Sequence, residues 1–337
     1  MSFRILGRTG IRVSPLTLGT MNFGGRATPE ESVRIVDRAI DANINFIDTA
    51  NVYGRGRSEE IVGGALKNNG HRHHIVLATK VHGNMRPDDH LDPNQHSNSR
   101  RQIIEGCEAS LRRLQTDYID LYQIHRPEPT NPIDETLRAL DDLVRSGKVR
   151  YIGCSTFAAW QVIESLWASK ELGLNRFVTE QPPYNLLDRR IERELIPAAV
   201  TYGFGIIPWS PLAGGFLTGK YVRKGEQPEG RFSDGKRKRA ASLLENTRAF
   251  DAVDALQKLA TEKGVPLSQF ALAWTAQQPG ITSPIIGPRT LEQLEDHLKS
   301  LEVTITDEER TRIDAIVPPG EVVAPFYQAE FGPNARW

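Results

Sequence analysis

Short apolar runs alternate along this chain with longer stretches whose apolar residues recur every three or four positions. The runs are SPLTLG, NFID, IVLAT, YIDLYQIH, YIGCS, RFVTEQ, FGIIPWS and SPIIG. They are too brief for helices and nearly unbroken by polar residues, which is the look of parallel strands covered on both faces. The periodic stretches between them predict helices. Val33, Val36, Ala39 and Ile40 form one apolar face behind Thr28-Pro29-Glu30-Glu31, which supplies an N-cap, a proline at the first helical position and a capping-box glutamate. Asn98 or Ser99 caps a helix carrying Ile103, Cys107, Leu111 and Leu114. Ile133, Leu137, Leu140 and Val144 line another, which Gly147 is placed to end, and Trp160, Ile163 and Leu166 mark a further helix closed near Gly173.

Strands alternating with helices at this count predict a (β/α)8 TIM barrel, an α/β fold, as a single domain over residues 1–337. A long loop at about 212–245 and a tail at 318–337 stand apart from the alternation. A doubly wound open sheet is the alternative. Against it, no G-x-G-x-x-G follows the first strand, and Gly24-Gly25 lacks the third glycine and the spacing. The barrel has a consequence for function, because working residues in such folds lie on loops at the C-terminal ends of strands.

Composition narrows the partners. Lys+Arg and Asp+Glu both total 42, so no net field recruits nucleic acid or an anionic membrane. No uncharged stretch approaches the roughly 20 residues that span a bilayer. The basic run Lys236-Arg237-Lys238-Arg239 reads as a solvated loop. Cys107 and Cys154 are the two cysteines; both fall in apolar periodic segments and suit core thiols in a reducing compartment. MSFRILGRTGIRVS has no apolar h-region, so a cytoplasmic location is expected. His71, His73 and His74 cluster before a strand start without a carboxylate or thiol partner in spacing, so no metal site is expected.

Four polar residues change the picture. Asp48, Lys80 and His125 each stand where a different apolar run stops, with Tyr53 in the loop beyond the first. Alone, the aspartate reads as a cap, the lysine as surface, the histidine as a loop residue and the tyrosine as a turn aromatic. Together at neighbouring strand ends they would share one mouth. A phenol is a poor acid at neutral pH, with an ordinary pKa near 10. A neighbouring ammonium stabilises the phenolate and eases proton transfer to a carbonyl oxygen. Lys80 would supply that ammonium, Asp48 would hold it and balance its charge, and His125 would donate a hydrogen bond where negative charge develops. No nucleophile is present, so acyl transfer is not implied. The set calls for a hydride donor, a nicotinamide.

At these residues the chain resembles the aldo-keto reductases, along nearly its whole length. NFIDTANVYGRGRSEEIVG is similar to the family's first signature, VLATK to its lysine segment and DYIDLYQIHRP to its histidine segment. RYIGCSTF, EQPPYNLLDR, IPWSPLAGGFLTGKY and SPIIGPRTLEQLEDHL follow the family pattern in order. EQPPYNLLDR and SPLAGGFLTGKY look more like the branch of bacterial reductases and voltage-gated potassium channel β subunits than like the aldose reductase branch.

The resemblance implies roles. Tyr53 would be the proton donor, with Lys80, Asp48 and His125 as argued. Ser155 and Gln181 would hold the nicotinamide carboxamide, with Thr156 where asparagine is common. Trp209 stands where an aromatic ring stacks on the nicotinamide, and Gly19, Thr20 and Met21 would border the cofactor. The small residues of Ser210-Pro211-Leu212-Ala213-Gly214-Gly215 would let backbone N–H groups approach pyrophosphate oxygens, with charge from Lys220 and Arg231. Gly287, Arg289 and Gln293 match the adenosine-phosphate segment, and His297 stands where asparagine is frequent. A guanidinium suits a phosphate dianion, so Arg289 argues for NADP(H) over NAD(H). Phe23, His82, Met85 and Arg126 are candidates to line the substrate pocket, Arg126 favouring a polar or anionic compound.

The expected function is reversible NADPH-dependent reduction of an aldehyde or ketone. Two alternatives compete. One is a redox-sensing, cofactor-binding module partnering another protein, disfavoured by the lack of an N-terminal inactivation-type extension. The other is a barrel isomerase or aldolase using Lys80 as a Schiff base. The glycine- and charge-rich segment from Lys220 to Ser242 is expected to fold across the cofactor. The tail, with Phe326, Tyr327, Phe331 and Trp337, would cap the pocket or a subunit interface, and a homo-oligomer is left open.

Overall fold

Each of the short apolar runs contributes a strand to one parallel sheet. The computed structural model describes residues 2–83, 85, 94, 97–128, 130–230, 232 and 244–323. An antiparallel hairpin, β1 (Arg4–Ile5) and β2 (Arg12–Val13), comes first. The sheet then takes β3 (Thr17–Gly19), β4 (Phe46–Asp48), β5 (Val76–Val81), β6 (Ile119–Ile124), β7 (Val149–Ser155), β8 (Phe177–Gln181), β9 (Gly205–Ile206) and β10 (Ile285–Ile286). Its order is β10-β3-β4-β5-β6-β7-β8-β9, parallel throughout. The ends meet where Thr282 N–H donates to the Ile206 carbonyl at 2.7 Å and Ile285 N–H to the Pro208 carbonyl at 2.8 Å. The result is a (β/α)8 barrel.

The strands read as apolar on both sides because both sides are covered. All six residues of β5 are buried. One set of side chains fills the barrel lumen: Phe46, Val76, Ala78, Leu121 and Ile207 pack there with Leu6 and Val13 from the hairpin. Phe46 and Val76 open their strands, so the hairpin plugs the N-terminal end and leaves the C-terminal end for chemistry. The larger core lies between strands and helices. Those helices are α1 (Pro29–Asp41), α2 (Arg57–Asn69), α3 (Arg100–Leu114), α4 (Ile133–Arg145), α5 (Ala159–Leu172), α6 (Leu195–Tyr202), α7 (Thr247–Lys263), α8 (Leu267–Ala276), α9 (Leu291–Lys299) and α10 (Asp307–Ile316).

Local signals place most helix ends. Thr28 accepts the Glu31 N–H at 3.2 Å, with Pro29 opening α1. The capping box is only half made, however. The Glu31 carboxylate accepts the Leu291 N–H at 2.8 Å and pairs with Arg34. Leu291 opens α9, and its N–H is one of the donors that a helix cannot satisfy internally, so the glutamate stitches two helices together. Ser99 caps α3 through the Gln102 N–H, while Asn98 faces the strand ends. Gly147 and Gly173 take left-handed φ of 77° and 65° at the ends of α4 and α5. Cys107 and Cys154 are buried and unpaired. Among the described residues no helix is long and apolar enough to cross a membrane. Arg231, the run Lys236–Arg239 and the tail aromatics lie outside the described residues.

Candidate active site

Strand ends and one turn bring the four residues together. Asp48 ends β4, Lys80 is the fifth residue of β5, and His125 follows β6, its N–H bonded to the Val81 carbonyl at 3.0 Å. Tyr53 opens a 3-10 turn, Tyr53–Gly56, which Gly54 and Arg55 bend sharply with φ of 56° and 54°. Lys80 is 0% exposed and Asp48 2%, so both ions need partners. The Lys80 ammonium forms an ion pair with Asp48 Oδ2 and donates to the Thr49 carbonyl at 2.8 Å. It also lies 3.3 Å from the Tyr53 hydroxyl oxygen. The His125 ring stands edge-on to the Tyr53 ring, centroids 5.7 Å apart.

The other carboxylate oxygen, Asp48 Oδ1, accepts from Gln181 Nε2 at 2.8 Å and Gln123 Nε2 at 3.1 Å. Asp48 is thus held from three strands. Gln123 did not stand out in the sequence, although a buried amide inside the apolar run YIDLYQIH was the available signal. Burial alone lowers the Lys80 pKa, but Asp48 and then Tyr53 outweigh it and leave it raised, so the lysine is charged. Burial, with Arg126, Lys80 and His82 nearby, holds His125 well below the usual histidine range. The imidazole is neutral and keeps one N–H to donate.

Most of the remaining residues stand at or just after the C-terminal ends of strands. A Cβ on Gly19 would meet the Ile285 side chain at 2.5 Å, so only glycine lets β3 lie this close to β10. Thr20 is buried against Ser58 at 2.7 Å, and Met21 is exposed. Ser155 and Gln181 are register partners, and Ser155 Oγ donates to the Gln181 carbonyl at 2.9 Å. Thr156 follows at φ 62°, a left-handed conformation that costs a β-branched residue roughly 1–3 kcal/mol. Arg126 bonds the His125 carbonyl at 2.7 Å and lies 3.4 Å from Thr156 Oγ1. His82 meets Asn98 at 3.2 Å. Phe23 is buried in the helix-side core, and Met85 is half-buried.

Trp209 is half-buried, and its backbone N–H donates to the Pro182 carbonyl at 2.9 Å. Ser210 follows at φ 60°. Its carbonyl accepts from the buried Asn185 amide at 3.1 Å, a contact not read from the sequence. With Pro211 it begins a turn in which Ala213 N–H bonds the Ser210 carbonyl, Gly214 N–H the Ser210 hydroxyl and Gly215 N–H the Leu212 carbonyl. Those amides close the turn on itself, where the sequence suggested that they reach outward. Lys220 bonds the Glu229 carbonyl at 3.0 Å, and the Glu229 carboxylate lies 4.0 Å from Arg289. Burial, then Arg289, with Arg26 also contributing, lowers the Lys220 pKa against the opposing pull of Glu229. Cations crowd here, which suits a polyanionic ligand. Gly287 accepts from Asn22, Gln293 accepts the Arg289 N–H at 2.9 Å, and His297 is buried with Nδ1 unpartnered. Among the described residues no group of three metal-ligating side chains occurs.

The family model described as the Aldo/keto reductase family matches residues 15–318. The chain is 40% identical over 331 residues to an uncharacterized oxidoreductase of Bacillus subtilis (strain 168), YrpG, covering 95% of this chain and 97% of the relative. A probable voltage-gated potassium channel subunit beta of Oryza sativa subsp. japonica is 38% identical, at 94% and 97% coverage. The versiconal hemiacetal acetate reductase of Aspergillus parasiticus is 35% identical, at 92% and 95% coverage.

Proposed function

Because the chain belongs to the aldo/keto reductase family and is an NAD(P)H-dependent oxidoreductase, we propose that it reduces an aldehyde or ketone with NADPH as donor and Tyr53 as acid. The observation that carries this reading is the Lys80 ammonium, ion-paired with Asp48 and 3.3 Å from the Tyr53 hydroxyl. The residues present fit a nicotinamide dinucleotide. Ser155, Gln181 and Trp209 would hold its nicotinamide end, and Lys220 and Arg289 its phosphates. When bound, that cofactor supplies the hydride.

The protein's own part is the proton. Tyr53 gives its hydroxyl proton to the carbonyl oxygen, and the adjacent Lys80 ammonium stabilises the phenolate left behind. Asp48 keeps the lysine charged and fixed in direction. The neutral imidazole of His125 donates to the same oxygen as charge grows on it. In the reverse direction the phenolate takes the alcohol proton. The unpaired thiols of Cys107 and Cys154 suit a reducing cytoplasm.

Tyr53→Phe tests the assignment. It should lower kcat by about 10²–10⁴-fold, the range for a lost general acid, while NADPH affinity by fluorescence titration stays nearly unchanged. Turnover retained in that variant would reject Tyr53 as the acid. NADPH binding tighter than NADH is expected in the same titration, and equal affinity would reject the 2′-phosphate reading.

A further inference from the structure

The residue beside Gln181 has no part in the scheme above. Glu180 lies on β8, 0% exposed, and strand alternation turns it to the opposite face from Gln181. Its Oε1 accepts the Phe157 N–H at 3.2 Å, while Oε2 is buried with no partner. Cys154, its register partner on β7, lies beside the carboxyl. Phe157 comes directly after Ser155 and the left-handed Thr156, whose own N–H bonds the Gln181 carbonyl at 3.2 Å. The turn leaving β7 is therefore pinned twice by the end of β8, once by main chain and once by the Glu180 carboxyl.

We propose that Glu180 is a positioning residue for the nicotinamide end of the site, acting through the Phe157 N–H to hold the strained Thr156 turn and with it Ser155. This rests on the reading of Ser155 and Gln181 as the groups that hold the nicotinamide. Asparagine adopts a left-handed conformation more readily than threonine, so a threonine at residue 156 places more of the burden on the clamp. Burial pushes the Glu180 carboxyl up to about 8, so it is largely neutral at pH 7. A neutral acid there accepts a hydrogen bond without leaving a buried charge, and glutamine reproduces that state.

The test uses the full chain carrying Glu180→Gln or Glu180→Leu, with two probes: NADPH, and 2′,5′-ADP, which lacks the nicotinamide. Glu180→Leu should weaken NADPH binding about tenfold, because the Phe157 N–H loses its buried acceptor, and leave 2′,5′-ADP within about twofold of wild type. Glu180→Gln should hold both probes within about twofold. Equal weakening of both probes in Glu180→Leu would mean a general structural role and overturn the proposal. So would unchanged NADPH affinity in Glu180→Leu, or a Gln variant as weak as the Leu variant. Wild-type protein that binds neither probe would instead reject the cofactor reading, and the inference with it.

Discussion

Among single residues, the buried titratable groups carry the most information. Lys80 is charged because Asp48 and Tyr53 outweigh its burial, whereas burial of His297 outweighs the opposing pull of Asp296 and pushes it down to about 4. Its folded pKa lies below the ordinary histidine value of about 6.5. The unfolded chain therefore binds a proton between pH 6.5 and 4 that the folded chain does not, and stability is lost as pH falls through that window. The expected loss from this group between pH 7 and 4 is about 3 kcal/mol. His297→Gln should accordingly gain about that much relative to wild type over the same interval, read from denaturant unfolding at several pH values. A difference independent of pH would show that the imidazole is not held neutral. Asp48, Tyr53, Lys80 and His125 were legible because each polar group interrupts or follows an apolar run. Their partner Gln123 was not, since a polar residue inside a strand announces burial without saying what it touches. Glu180 was hidden for the same reason.

Helices and strands show where local rules yield to packing. Pro29, Thr28, Ser99 and Gly173 act as local chemistry dictates, but Glu31 leaves its own cap to bond the start of α9. Adjacent glycines in α2 make the same point and can be tested. A Cβ on Gly63 would lie 2.5 Å from the Leu114 backbone at the end of α3, while one on Gly64 would meet nothing within 4 Å. Helix propensity alone favours alanine at both by roughly 0.5–1 kcal/mol. Gly64→Ala should stabilise by about that amount, and Gly63→Ala should destabilise by about 1–3 kcal/mol because the helices are forced apart. Urea unfolding measures both, and shifts of the same sign would contradict the close α2–α3 contact.

At the level of the whole molecule, the barrel is uneven around its ring. β5, β6 and β7 have 6, 6 and 7 residues, whereas β9 and β10 at the closing seam have 2 each. Shorter ladders open more easily. Native-state hydrogen exchange should therefore find the seam amides of Thr282 and Ile285 less protected than those of Tyr122 and Gln123 in β6, and equal protection would argue against a weak seam. The linear order of residues was enough for the alternation of strands and helices, the barrel that this alternation builds, and which polar residues stand at strand ends. Those features follow from periodicity and covalent order, which are properties of neighbouring residues. It took the folded barrel to bring Lys80 to both Asp48 and Tyr53, to have Gln123 and Gln181 share the second oxygen of Asp48, and to set Glu180 against the turn after β7. These contacts join residues 23 to 133 positions apart, and they depend on strand register and inward or outward facing. A linear pattern leaves both unspecified until the ring closes.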